Sequence, residues 1–164
     1  NPNYRPTVHY AYSPSKDTLA SLEEFKLQNG VFQDKKRVVV DEIVSGIDEL
    51  GILLMGHAKG AYWYGSRLST EEAKNIAPHN SATTMQVVAG VVSGMIFAMK
   101  NPKCGIIEPE DLPHEEIMNF SKPYLGEMVG EYSNWTPLAS QGDVVENNID
   151  HTDPWQFKNF LIKE

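Results

Sequence analysis

The sequence predicts an α+β fold, mixed in its elements: a largely antiparallel sheet packed against one long buried helix. Two observations carry the prediction. Residues 50–55 and 61–68 are runs of apolar, aromatic and β-branched residues, joined by His57, Ala58, Lys59 and Gly60, a loop of hairpin length that ends on glycine. Residues 81–99 then pass without a charge, a run too long for a strand and long enough for a helix of several turns. With 164 residues, 41% of them hydrophobic and 22% charged, the chain has the proportions of one globular domain that can bury a core.

The elements follow in order. Residues 6–12 have strand composition, after which Ser13 offers an N-cap and Pro14 a first helical position. The helix runs to about Gln28, with Leu19, Leu22 and Phe25 on one face and Asn29-Gly30 as its stop. Residues 37–44 are rich in β-branched positions and read as a strand. The run 50–55 is apolar at every position but Gly51, which suggests a central strand covered on both faces. Ser69 followed by Glu71 and Glu72 opens a short helix that Pro78 interrupts. The long helix of residues 82–100 ends at Asn101-Pro102, residues 112–120 form a further helix, and residues 127–135 a late strand. Residues 1–138 make the domain, and the polar stretch 139–164 is a wrapping C-terminal tail.

Charge and composition exclude several classes. A formal net charge of −8 disfavours nucleic acid and anionic membrane surfaces as partners and favours a small cation. The stretch 81–99 nearly reaches the length of a bilayer span, and Gly90 and Gly94 make a G-x-x-x-G spacing. Thr83, Thr84, Gln86 and Ser93 dilute its apolarity, however, so a packed helix with small residues at its contacts is expected, and no membrane. The single cysteine, Cys104, precludes an internal disulfide and fits a reducing, cytoplasmic setting. The chain opens on Asn1, as expected of a segment of a longer protein. There is no G-x-G-x-x-G or P-loop pattern, no H-E-x-x-H, no Gly-x-Ser-x-Gly, and no metal-ligand spacing among five dispersed histidines.

The chemistry then rests on carboxylates. Asp41, Glu42, Asp48 and Glu49 precede a Tyr62-Trp63-Tyr64 run, and Asp48 and Glu49 lie between Ile47 and Leu50, Ile52, Leu53, Leu54. A polar group taken into such surroundings costs on the order of 2 to 7 kcal/mol unless it is paired. Solvated strand ends and backbone hydrogen bonds are the ordinary fate of such acids, and packing that of such aromatics. A cationic ligand is the functional alternative, because an ammonium over an aromatic face gains roughly 0.5 to 2 kcal/mol. Strand alternation puts Trp63 on the face opposite Tyr62 and Tyr64.

Several blocks together, "VHYAY", "DEIVSGIDELGILLMGHAKGAYWYGSRLS", "APHNSATTMQVVAGVVSGMIFA", "GIIEPEDLP" and "PYLGEMVGEYSNWTPL", resemble the C-terminal part of the bacterial homospermidine synthases, a family similar in fold to saccharopine and carboxynorspermidine dehydrogenases. The resemblance covers residues 6–160. It implies a C-terminal substrate and dimerisation domain of a two-domain enzyme whose NAD-binding Rossmann domain lies upstream of this chain. Such an enzyme oxidises putrescine with bound NAD, lets a second amine attack the imine with release of ammonia, and reduces the new imine to homospermidine. Putrescine or a related diamine is then the substrate, NAD the cofactor, held mainly by the upstream domain, and a homodimer the assembly.

Within that frame Asp48 is the first candidate to anchor a substrate ammonium, with Glu42, Glu49 and Trp63 as further substrate contacts. His9 is a candidate proton shuttle, a structural hydrogen bond being its other role. Asn80, Ser81 and Thr83, at the start of the long helix, either cap it or touch the cofactor. Two other readings stay open: the substrate domain of a saccharopine or carboxynorspermidine dehydrogenase-like oxidoreductase, and a non-catalytic assembly module. A substrate carboxylate calls for a guanidinium, and of Arg5, Arg37 and Arg67 only Arg67 lies in the central block, which favours a diamine.

Overall fold

In the computed structural model, residues 6–36, 38–140 and 151–160 are described, and the chain divides into two compact units, 1–38 and 39–164. The first holds helix α1 (Lys16–Leu27), capped by Ser15, whose Oγ accepts the Thr18 N–H at 3.2 Å. The start falls two residues later than Ser13 and Pro14 suggest, because Ser15 provides a cap followed by an acid, Asp17, in the first turn. Asn29 (φ 56°) and Gly30 (φ 73°) end it in the left-handed region, and Phe25 closes on Phe32 with ring centroids 4.8 Å apart.

The second unit is built on a three-stranded antiparallel sheet of order β1-β2-β3, formed by β1 (Ile47–His57), β2 (Gly60–Ser69) and β3 (Glu127–Ser133). Helices α2 (Thr70–Ile76), α3 (Ala82–Lys100) and α4 (His114–Ser121) complete it. The hairpin turns at Ala58-Lys59, pairing His57 with Gly60. A bulge between Leu54 and His57, with Gly56 at φ 79°, then shifts the register so that Leu54 pairs with Tyr62, Glu49 with Arg67 and Asp48 with Leu68. The side chain of Trp155 packs against Gly56, and its ring lies 6.4 Å from that of Trp135.

Three expectations are corrected. Residues 6–12 and 38–44 are not strands: β-branched composition favours a strand only where a neighbour supplies the ladder, and none is paired with them among the described residues. Strand β1 is an edge strand rather than a central one, and its apolar side chains are exposed on both faces, Ile52 at 62% and Leu53 at 42%. The glycines of G-x-x-x-G are not at a helix contact: a Cβ built on Gly90 or Gly94 meets nothing within 4 Å. The small residues that do pack are Ala82, Ala89 and Ser93.

Helix α3 is buried along one stripe, Ala82, Met85, Gln86, Ala89, Ser93 and Phe97, while Val87, Val91, Met95 and Met99 on its other side are exposed. It is long and apolar enough to cross a membrane by length and composition. Its buried stripe meets the sheet, and Ser93 Oγ lies 2.8 Å from Ser121 Oγ of α4, so that one hydroxyl can donate to the other while its neighbour donates to the carbonyl four residues earlier on its own helix. The compact core lies under the end of β2, where Leu68 and Ala73 are fully buried against Ala82 and Met85.

A capping box joins β2 to α2. Ser69 Oγ accepts the Glu72 N–H at 3.2 Å, and Glu72 Oε2 accepts the Ser69 N–H at 2.9 Å and its hydroxyl at 2.6 Å. The Ser69 hydroxyl, and after it the Ser69 N–H, hold the Glu72 carboxyl below its ordinary value of 4.5. A lowered folded-state value means the contribution is present above pH 4.5 and is lost as pH falls through that lowered value. Ser69→Ala should cost about 1 kcal/mol in urea unfolding at neutral pH. Glu72→Gln, which keeps the bond without the titration, should flatten the acid limb of the stability profile.

Candidate functional site

The sheet presents two faces of different character, and cross-strand pairing assigns each side chain to one of them. Ser66 faces α3, since its Oγ accepts from Gln86 Nε2 at 3.0 Å. Its neighbours by register and pleat, Asp48, Leu50, Leu68 and Met128, share that face, as do Ile52, Tyr62, Tyr64 and Tyr132 further along. The opposite face carries Glu49, Trp63, Arg67, Glu127 and Glu131. Tyr62 and Tyr132 pack at 4.6 Å between centroids, and Tyr132 in turn lies beneath Lys59 at 5.3 Å.

On the face away from α3, Gly51 and Gly65 stand opposite each other and the Trp63 indole lies over both. A Cβ on Gly51 would come within 2.7 Å of the indole, and one on Gly65 within 2.6 Å of it and 2.5 Å of the Leu50 carbonyl. The glycine pair thus makes the seat on which the half-buried Trp63 is held flat. Arg67 lies 5.5 Å from that ring and its Nε donates to Glu49 Oε1 at 2.7 Å. Glu127 stands opposite Arg67 and Glu131 opposite Trp63. Glu49, through its hydrogen bond and then its charge, raises the guanidinium above its usual value, with smaller contributions from Glu131 and Glu127. Three carboxylates against one arginine leave this face acidic.

The four carboxylates of the central block have different fates. Asp41 accepts from His79 Nδ1 at 2.8 Å and lies 3.8 Å from Lys74 Nζ, which also donates to the Ile43 carbonyl at 2.8 Å. Glu42 turns back on the chain, accepting the N–H groups of Val40 at 2.8 Å and Asp41 at 3.0 Å. Glu49 is paired with Arg67. Asp48, half-buried on the α3-facing side, is the one of the four whose carboxylate has no hydrogen-bond or ion-pair partner among the described residues.

At the start of α3, Ser81 is its N-cap, with Oγ 3.2 Å from the Thr84 N–H, and Asn80 Nδ2 donates to the carbonyls of Ala77 and Pro78. Thr83 is exposed in the first turn, and His79 beside them has φ 67°. Asn80 and Ser81 are thus engaged with the local backbone, the capping role expected of them. His9 is exposed and belongs to the first unit, 1–38. No cluster of metal-ligating side chains occurs among the described residues.

Two features escape a reading of the sequence. The Glu49–Arg67 pair depends on the bulge, since an unbulged two-residue hairpin would set Glu49 against Leu68. Gln86, within an apolar helix, gives no sign that its amide reaches three segments at once.

Fold and site together define an α+β domain with an acidic, aromatic sheet and an exposed apolar edge strand. The chain belongs to the Saccharopine dehydrogenase C-terminal domain family, whose sequence profile matches residues 1–133. It is 49% identical over 162 residues to a homospermidine synthase of Blastochloris viridis, which covers 98% of this chain and 34% of that protein. It is 45% identical over 161 residues to a homospermidine synthase of Mesorhizobium japonicum, covering 98% and 33%. The homospermidine synthase of Legionella pneumophila, solved in complex with NAD, superposes with a TM-score of 0.86 at 51% identity, over 95% of this chain and 34% of that one. The chain therefore spans about a third of the length of the relatives it matches.

Proposed function

We propose that this chain is the C-terminal substrate and dimerisation domain of a cytoplasmic homospermidine synthase, which joins two putrescine molecules and releases ammonia. Likeness to such enzymes over nearly the whole chain supports the family role. The observation that carries the substrate reading is the carboxylate of Asp48: half-buried, on an edge strand, and without a protein partner among the described residues. A diamine brings two ammonium groups on a flexible chain, and one end must be fixed before the other is aligned for reaction. Asp48 holds that fixed end. A carboxylate in partly desolvated surroundings does so more strongly than one in water.

The other candidate groups act less directly, and Trp63, Glu49, Glu127 and Glu131 lie on the sheet face opposite Asp48. Trp63 and the surplus charge of Glu49, Glu127 and Glu131 give the sheet a cation-attracting surface, with Arg67 neutralising one carboxylate. Glu42 shapes the entry to β1, His9 is retained as a proton-shuttle candidate, and Asn80, Ser81 and Thr83 order the start of α3. NAD, carried by the upstream domain, supplies the oxidation and the later reduction. An amino acid substrate is disfavoured because Arg67 is already engaged by Glu49 at 2.7 Å, which leaves no guanidinium of the sheet to clamp a carboxylate.

Asp48→Asn keeps the shape and removes the charge. Loss of a charge-assisted contact of about 1.5 to 3 kcal/mol should lower kcat/KM for putrescine roughly 10- to 100-fold in the full-length enzyme. NAD retention serves as the folding control, and unchanged use of putrescine would leave Asp48 a structural residue. We assign the homodimer contact to the exposed side of α3, where Val87, Val91, Met95 and Met99 form an apolar stripe. The full-length enzyme should sediment as a dimer at micromolar concentration, and a monomer there would overturn the assignment.

A further inference from the structure

Gln86 is 3% exposed, in the middle of the buried stripe of α3. Its Nε2 lies 3.0 Å from Ser66 Oγ on β2, 3.3 Å from the Asp48 carbonyl on β1 and 3.5 Å from the Leu125 carbonyl two residues before β3. One amino group thus reaches all three arms of the sheet. The two carbonyls can only accept, so they fix which end of the amide faces the strands. The consequence is an unusual orphan: Gln86 Oε1 is buried with no hydrogen-bond partner among the described residues.

A buried amide oxygen without a donor is unfavourable, and such a group in a native interior calls for a reason. The other buried residues of this stripe, Ala82, Met85, Ala89 and Phe97, show that apolar side chains suit the interface. Leucine or methionine at position 86 would remove this orphan, at the cost of the donor to the buried Ser66 hydroxyl and to the two carbonyls. What an apolar side chain could not do is hold the Asp48 carbonyl. β1 is an edge strand, tied laterally to β2 alone among the described strands, and interrupted by a bulge. The carbonyl that Gln86 grips and the carboxylate of Asp48 branch from one Cα, so the grip sets where the carboxylate stands.

We infer that Gln86 is a positioning residue, which fixes Asp48 on the edge strand so that its carboxylate meets the substrate ammonium at a defined place. This rests on the role given to Asp48 above, and the test separates the two. In the full-length enzyme, Gln86→Leu should raise KM for putrescine roughly 2- to 10-fold, the scale of one hydrogen bond. kcat and NAD retention should hold, with a modest loss of thermal stability as the Ser66 hydroxyl loses its donor. The double variant with Asp48→Asn should be no worse than Asp48→Asn alone, because Gln86 acts through that carboxylate. Gln86→Met, unbranched and close in volume, should behave as Gln86→Leu does.

An unchanged KM in both Gln86 variants, or an effect that adds in full to that of Asp48→Asn, would overturn the positioning role while leaving Asp48 as the anchor. A harmless Asp48→Asn would overturn the anchor itself, and the positioning role with it. If Gln86→Leu and Gln86→Met both fail to fold with NAD bound, the side chain serves the fold rather than the site, and the inference is equally wrong.

Discussion

Strand β2 is the constraint on which the second unit depends. Among the described strands it alone is paired on both edges, it ends in the capping box that launches α2, and Leu68 near that end is fully buried in the core. Its ladder with β1 decides which acids stand beside which bases, and its ladder with β3 brings Glu127 and Glu131 next to Arg67 and Trp63. The charged groups on the strands, Asp48, Glu49, Arg67, Glu127 and Glu131, are placed by a register counted from these ten residues.

Covering is the second physical theme. An apolar edge strand and one side of a long helix lie exposed, although their side chains have the composition of buried elements. Water is a poor final environment for such surfaces, and a contiguous apolar patch marks a place where another surface belongs. The chain matches about a third of its relatives' length, and an upstream domain and a second copy are the two occupants the proposed assembly provides. In the proposed assembly the acidic face and the apolar edge belong to surfaces that contact would complete.

Most of the elements were legible in the sequence because local signals and burial agreed there. The cap at Ser69 with Glu72, the run 82–100 and the turn at 58–59 each satisfy backbone groups and hydrophobic periodicity together. The failures came where one signal spoke alone. β-branched residues at 38–44 had no paired neighbour among the described residues, and the two-sided apolarity of β1 spoke of a covering that the described residues do not supply. At the site, Asp48 stood out through its apolar neighbours. The Glu49–Arg67 pair and the reach of Gln86 did not, since the first hangs on a one-residue bulge at Gly56 and the second on the way a helix crosses three strand segments.

The central claim is that Asp48 receives an ammonium, and a crystal structure of the full-length enzyme with putrescine and NAD tests it most directly. The account predicts a diamine nitrogen at about 2.7–2.9 Å from a carboxylate oxygen of Asp48, the range of a charge-assisted bond, with the Asp48 carbonyl still held by Gln86. A diamine bound with both nitrogens on other groups, and Asp48 turned to solvent or to a residue of the upstream domain, would contradict it.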